Sequence, residues 1–208
     1  MAQQLAEVEP RVERRRISYE EWARWSEEGV RSEWVAGEVV VFMPATPVHL
    51  RAIGLFYALL LWYIGKVPMG EVFLFGLHVK FPIAAREPDV LFIARDNPAR
   101  IEGARLFGIP DLVVEVISDD SVKRDTKEKF AEYEAAGIPE YWLFDPRPSQ
   151  QWAKLYVLEE HGHYTELLPD EHGRLRSRVV RGFWLDPSWL GQAPSPPLHV
   201  LLDMLAPD

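Results

Sequence analysis

Two short apolar runs stand out along the chain, "EPDVLFIA" at residues 87–94 and "DLVVEVIS" at residues 111–118. Each has the length and β-branched content of a strand covered on both faces. Yet each holds a carboxylate, Asp89 at the mouth of the first and Glu115 in the middle of the second. Around them the hydrophobic pattern predicts an ordered set of elements. Ser18 followed by Glu21 makes a capping box, and Trp22 and Trp25 recur at helical spacing, so a short amphipathic helix runs through about Glu28. "SEWVAGEVVVFMP" alternates around Ala36-Gly37 as a hairpin does. A long helix starts after Thr46-Pro47, with threonine as cap and proline at the first helical position. "EVFLFG" and "LHVKFP" then meet at Gly76 in a bend or hairpin.

The strand at 89–94 is followed by an irregular link rich in Arg, Gly and Pro, then by the strand at 111–117. Ser121 to Gly137 reads as a helix stopped by its glycine. "EYWLFDP" is a further strand, and "AKLYVLEE", "HYTELLP" and "LRSRVV" form a meander. After "PSPP" at 194–197, a linker by composition, the apolar tail "LHVLLDMLA" must dock on something. This order predicts an α/β (α+β mixed) domain built on a sheet flanked by helices, with an additional β-meander. A chain of 208 residues suits one core. The expected division is a flexible arm at 1–17, one domain at 18–193, and a linker with an apolar tail at 194–208.

Composition narrows the function classes. The formal net charge of −9 gives a field that repels nucleic acid, so any polyanion must be met by a local basic patch. The chain has no cysteine, which removes disulfides, thiolate metal sites and thiol nucleophiles. The first residues lack the basic-then-apolar order of a signal peptide, so the expected location is the cytoplasm. The apolar stretch from Ile53 to Ile64 is shorter than the roughly 20 residues a spanning helix needs, so it reads as a core helix and no membrane is expected.

The strand carboxylates carry the candidate chemistry. An unpaired carboxylate in a doubly covered strand would cost about 2–7 kcal/mol or more. A cationic side chain, a bound metal ion or a wet cleft must therefore compensate it. If the two strands are neighbours, Asp89 and Glu115 converge at one end of the sheet, and paired oxygens with room for water are what Mg²⁺ requires. A general acid and base pair, as in glycoside hydrolysis, is another use, although no loop carries an evident aromatic platform. On the helix at 121–137, Val122, Thr126, Lys129, Phe130 and Tyr133 share one face, which turns Lys129 toward the sheet and Lys127 toward solvent. The structural alternative for Lys129 is an exposed pair with Asp125.

"EPDVLFI" followed by "PDLVVEVISDDSVKRDTKEKFAEYEAAGIPEYWLFDP" resembles the Uma-two family of restriction-endonuclease-like proteins, a branch of the PD-(D/E)XK nuclease superfamily. The likeness runs from about Tyr19 to Val180 and is strongest from Glu87 to Pro146. It implies a restriction endonuclease-like core and hydrolysis of phosphodiester bonds, with DNA as the partner. Asp89 and Glu115, with Val116 beside them, would be the metal-contacting positions for Mg²⁺, with Mn²⁺ as a substitute. The superfamily's usual lysine position is taken by Ile117 here, and the family's lysine falls on Lys129. Glu38 matches the upstream acid and His49 a histidine that the family often carries. Lys123, Arg124 and Lys127, beside the cleft, could contact flanking phosphates.

The missing strand lysine keeps a second reading open, a non-catalytic fold that binds nucleic acid or protein. A homodimer would follow if the apolar tail packed on a second copy. "HGH" at 161–163 reads as a hairpin loop, the scattered tryptophans as core, and Arg174, Arg176, Arg178 and Arg181 as an alternating basic strand.

Overall fold

A computed structural model describes residues 16–26, 31–41, 45–148, 150–192 and 194–206. The expected arm therefore lies outside the described residues except for Arg16 and Ile17, as does the end of the first helix at Glu28. Helix α1 (Tyr19–Ser26) opens on the capping box, with the Ser18 amide 2.8 Å from Glu21 Oε2 and the Glu21 amide 3.2 Å from Ser18 Oγ. Strands β1 (Ser32–Val35) and β2 (Glu38–Val41) form the hairpin, and Ala36 and Gly37 both take the positive φ that its tight turn demands. Ile17 is held against that turn, its amide 3.0 Å from Gly37 O. Helix α2 (Pro47–Lys66) is capped by Thr46 as expected. By length and composition α2 could cross a membrane, but half of it is buried here against the sheet.

Strands β3 (Gly70–Leu74) and β4 (His78–Lys80) are not a hairpin. Gly76, at φ +97°, bends the chain from one sheet into another. Strands β5 (Ala84–Arg86) and β6 (Val90–Ala94) follow, and the link expected to be irregular contains a small hairpin of β7 (Arg100–Glu102) and β8 (Arg105–Phe107). Next come β9 (Leu112–Val116), a helix that begins with a π turn at Arg124–Lys129 and continues as α3 (Phe130–Ala136), and β10 (Glu140–Asp145). Strands β11 (Trp152–Leu158) and β12 (Tyr164–Leu167) extend the sheet, while "LRSRVV" contributes only β13 (Leu175–Arg176), paired with β14 (Trp184–Leu185). The tail is helix α4 (Leu198–Leu205), which packs Leu201 and Leu205 into the core beside α2.

The described residues form two mixed six-stranded sheets, ordered β2-β1-β5-β4-β8-β7 and β12-β11-β10-β9-β6-β3, beside the β13-β14 pair. The second is central. Its one face packs on α2 through Val90, Phe92, Leu112, Val114 and Val116, and its other face meets α3 and the first sheet through Leu91, Val113, Ile117, Tyr141 and Leu143. Strand β9 is buried at every position, as a strand covered on both faces must be.

Glu140 shows how a carboxylate can be purely structural. Fully buried at the start of β10, it accepts from Trp142 Nε1 at 2.6 Å, Ser177 Oγ at 2.7 Å, and the Arg178 and Val179 amides at 2.7 and 3.0 Å. It fastens the turn after β13 to the central sheet. Glu140→Ala would strand these donors, and denaturant unfolding should show a loss of about 3 kcal/mol or more.

Candidate active site

Strands β6 and β9 run antiparallel with Val90 opposite Val114. Extending that register by one step sets Asp89 opposite Glu115, so both carboxylates leave the same face at the same end of the sheet. That face is the one turned toward the first sheet and α3. The Val116 amide donates to Asp89 Oδ2 at 2.8 Å and ties the two strand ends together. The Val116 side chain lies in the α2-side core, so this residue serves the site only through its backbone.

Lys129 arrives from the helix. Its Nζ lies 2.8 Å from Glu115 Oε1, 2.9 Å from Glu33 Oε1 and 3.7 Å from Asp125 Oδ1, with only 2% of the residue exposed. Tyr133 Oη donates to the same Glu115 oxygen at 2.6 Å. The helix can aim all these groups inward because of its π turn. Ser121, Asp125, Lys129 and Tyr133 are all buried at a spacing of four. An α-helix would rotate such a row by about 40° at every step, and the wider turn counters that drift. Asp125 is therefore an interior partner of Lys129, and the exposed pair weighed as an alternative to an inward lysine is not what forms.

The upstream acid in the cluster is Glu33, not Glu38. The two lie on the same face of the hairpin, but Glu38 sits opposite Val35 beside the turn, whereas Glu33 is buried. Glu33 also accepts from Arg86 Nη1 at 2.9 Å and from the Glu87 amide at 3.1 Å. Arg86 spends the rest of its fork on Glu132, at 2.7 Å twice. The alternation that exposed Glu115 applies equally to "SEWV", where Glu33 shares a face with Val35.

His49, on the first turn of α2, places Nε2 3.7 Å from Asp89 Oδ1, while its buried Nδ1 has no hydrogen-bond partner. The basic residues diverge. Lys123 is exposed and paired with Glu128 at 3.1 Å, Lys127 is exposed, and Arg124 is mostly buried beside Asp120 and Asp125.

Acid outnumbers base here. Glu33, Glu115 and Asp125 surround the ammonium of Lys129, with Asp89 opposite Glu115, while Arg86 is shared between Glu33 and Glu132 and Arg124 stands 3.9 Å from Asp125. Burial pushes Glu115 up to about 8, with Lys129 opposing and Asp125, Asp89 and Glu33 adding to the rise. Burial likewise lifts Asp125 to about 6 against the pull of Lys129 and Arg124. Glu33 differs: burial again favours its neutral form, but Lys129 and Arg86 outweigh it and hold the group down to about 2. Lys129 is raised, burial being overcome by Glu115, Glu33 and Asp125.

This donor set fits a divalent cation. Asp89 Oδ1 faces His49 and Arg31 at 3.7 and 3.9 Å, beyond hydrogen-bond length, and Glu115 Oε2 accepts no hydrogen bond from the described residues. An available oxygen on each acid suits an ion that takes one or two carboxylates and fills its remaining positions with water. No group of three or more His, Asp or Glu side chains among the described residues is placed to hold a metal ion, so the protein would offer such an ion these two carboxylates.

Residues 18–188 match the family Uma2, described as "Putative restriction endonuclease". The chain belongs to the Uma2 family. The crystal structure of a DUF820 "putative nuclease" from Anabaena variabilis ATCC 29413 is similar in fold, with a TM-score of 0.69 at 16% identity over 84% of this chain and 97% of that one. None of the curated proteins compared with the chain matches it. The Uma2 match begins at the capping-box serine and ends inside the short helical turn Pro187–Trp189, so it covers every residue of the cluster. The fold is that of restriction endonuclease-like proteins, and the family supports a nuclease-like function.

Proposed function

We propose that the protein is a metal-dependent nuclease that hydrolyses phosphodiester bonds of DNA in the cytoplasm. The observation that carries this reading is the pairing of Asp89 and Glu115 on adjacent strand ends with Lys129 against one of them. Mg²⁺ or Mn²⁺, held by Asp89 Oδ1 and Glu115 Oε2, would polarise the phosphate and make bound water acidic. Lys129 keeps the Glu115 carboxylate fixed and offsets charge that develops on the phosphate. His49, whose Nε2 stands 3.7 Å from Asp89 Oδ1, is the proton acceptor beside the site. Glu33 holds Lys129 from the opposite sheet, so the ammonium is positioned from two directions. Helix α4 buries Leu201 and Leu205 within the chain and leaves Leu198, Val200 and Met204 exposed, an apolar face that a second copy of the chain would cover in a homodimer.

A second reading, a non-catalytic binding module, is favoured by one observation: Lys129 and Tyr133 already satisfy Glu115 Oε1 without any ion. Calorimetric titration with Mg²⁺ and Mn²⁺ separates the two. The native chain should bind, and Asp89→Ala and Glu115→Ala, checked for native circular dichroism, should not. Absence of metal binding by the native chain with DNA present would favour the module.

A further inference from the structure

Beside the acids, and unused by the reaction described above, lies an exposed aromatic ring. Phe75 follows β3, more than a third of it is in solvent, and its amide donates to Asp89 O at 3.0 Å. That bond ties the Phe75 backbone to the residue proposed to hold the metal. Arg31 lies across the ring, its guanidinium carbon 4.5 Å from the centroid. Its Nε donates to Glu87 Oε1 at 2.8 Å, an oxygen that also accepts the Gly76 amide at 2.9 Å, and its Nη2 stands 3.9 Å from Asp89 Oδ1. One buried carboxylate thus orients both the arginine and the bend that carries the phenylalanine. A buried ring would need no such explanation. A partly exposed ring with a guanidinium over one face, close to the acids, has the components of a nucleotide platform: the rest of its apolar surface for a base and a planar cation for the phosphate next to it.

We infer that Phe75 and Arg31 form a subsite for an unpaired nucleotide adjoining the scissile phosphate, so that the preferred substrate is single-stranded or frayed DNA. This rests on the nuclease reading and adds the substrate class. Bases in a duplex are stacked on one another and present only their edges, so Phe75 can stack only on a base that has left the helix. The net charge of −9 points the same way. A chain with this field gains little from the phosphate backbone of a duplex, which leaves stacking a larger share of the affinity.

The test is fluorescence anisotropy with a short single-stranded deoxyoligonucleotide and with the matching duplex, in the presence of Ca²⁺, on the full chain and on Phe75→Ala, Phe75→Trp and Arg31→Ala. The native chain should prefer the single strand. Phe75→Ala should weaken that binding by about tenfold and leave the duplex within about twofold, as the loss of one stacked base does. Phe75→Trp should restore it, an outcome that a merely structural ring would not produce. Arg31→Ala should weaken single-strand binding and flatten its salt dependence. Equal binding of single strand by the native chain and Phe75→Ala, or a native preference for duplex, overturns the subsite. Cleavage assays on Asp89→Asn keep the two ideas apart. If the native chain and that variant alike leave the DNA uncut while Phe75→Ala loses single-strand binding, the subsite stands and the nuclease reading falls. If cleavage depends on Asp89 while Phe75→Ala binds normally, the reverse holds.

Discussion

Asp89→Asn should reduce DNA cleavage by roughly 10³-fold or more, the scale expected when a site loses its hold on the group that stabilises charge on the phosphate. The substitution is nearly isosteric, and the amide oxygen can still accept from the Val116 amide, so the strand ends stay tied. Thermal unfolding should therefore move by only a few degrees, and a chelator should bring the native chain to the same low rate. Single-turnover cleavage of a labelled oligonucleotide, with and without chelator, is the measurement. A native rate untouched by either treatment would point to acid and base chemistry without a metal.

Lys129→Met should be the most damaging change to stability, costing about 3–5 kcal/mol near pH 8, because it leaves Glu33, Glu115 and Asp125 buried without their shared cation. The pH dependence gives this loss a signature. Glu115 at about 8 and Asp125 at about 6 lie above the roughly 4 of an unfolded carboxylate, so between those values the folded chain holds protons that the unfolded chain releases. Their contribution to stability therefore falls as pH rises from about 4 to about 8. Lys129 is what restrains that rise, and its removal pushes both groups further up and steepens the fall. Glu33 works in the opposite sense. Held at about 2, it adds stability above its unfolded value and loses it as pH drops toward 2, and without Lys129 that contribution shrinks. Denaturant unfolding should thus show the variant closer to the native chain at pH 5 than at pH 8. An equal deficit at both would mean that the carboxylates are reached by water and need no ammonium.

The same arithmetic explains which parts of the site could be read from the sequence. Asp89 and Glu115 were legible because a carboxylate in a run that is apolar on both faces is costly in any arrangement. Lys129 was legible because an α-helical wheel places it inward, and the π turn leaves that placement unchanged. Asp125 was hidden by the same turn, which brings a row spaced by four onto one face. Glu33 and Glu38 look alike in an alternating hairpin. The difference between them is two residues of position along one face, set by which strand lies deeper between the sheets, a fact of tertiary packing. The second sheet was also illegible, because Gly76 bends the chain in the way either a hairpin or a change of sheet requires. Arg86, at the end of a short strand with Glu87 beside it, carries no local sign that it reaches two acids from different elements.

Those elements determine when the activity can exist. Glu33 comes with the first sheet, Asp89 and Glu115 with the second, and Lys129 with the helix packed against both. No local segment of the chain contains the full set, and contacts so distant in sequence form late, after loop closure has been accomplished. A nascent chain still on the ribosome, or one cut into pieces by a protease, would carry strands and helices but no centre able to hydrolyse a phosphodiester. For a chain with the proposed activity, the last step of folding would also be the step that arms it.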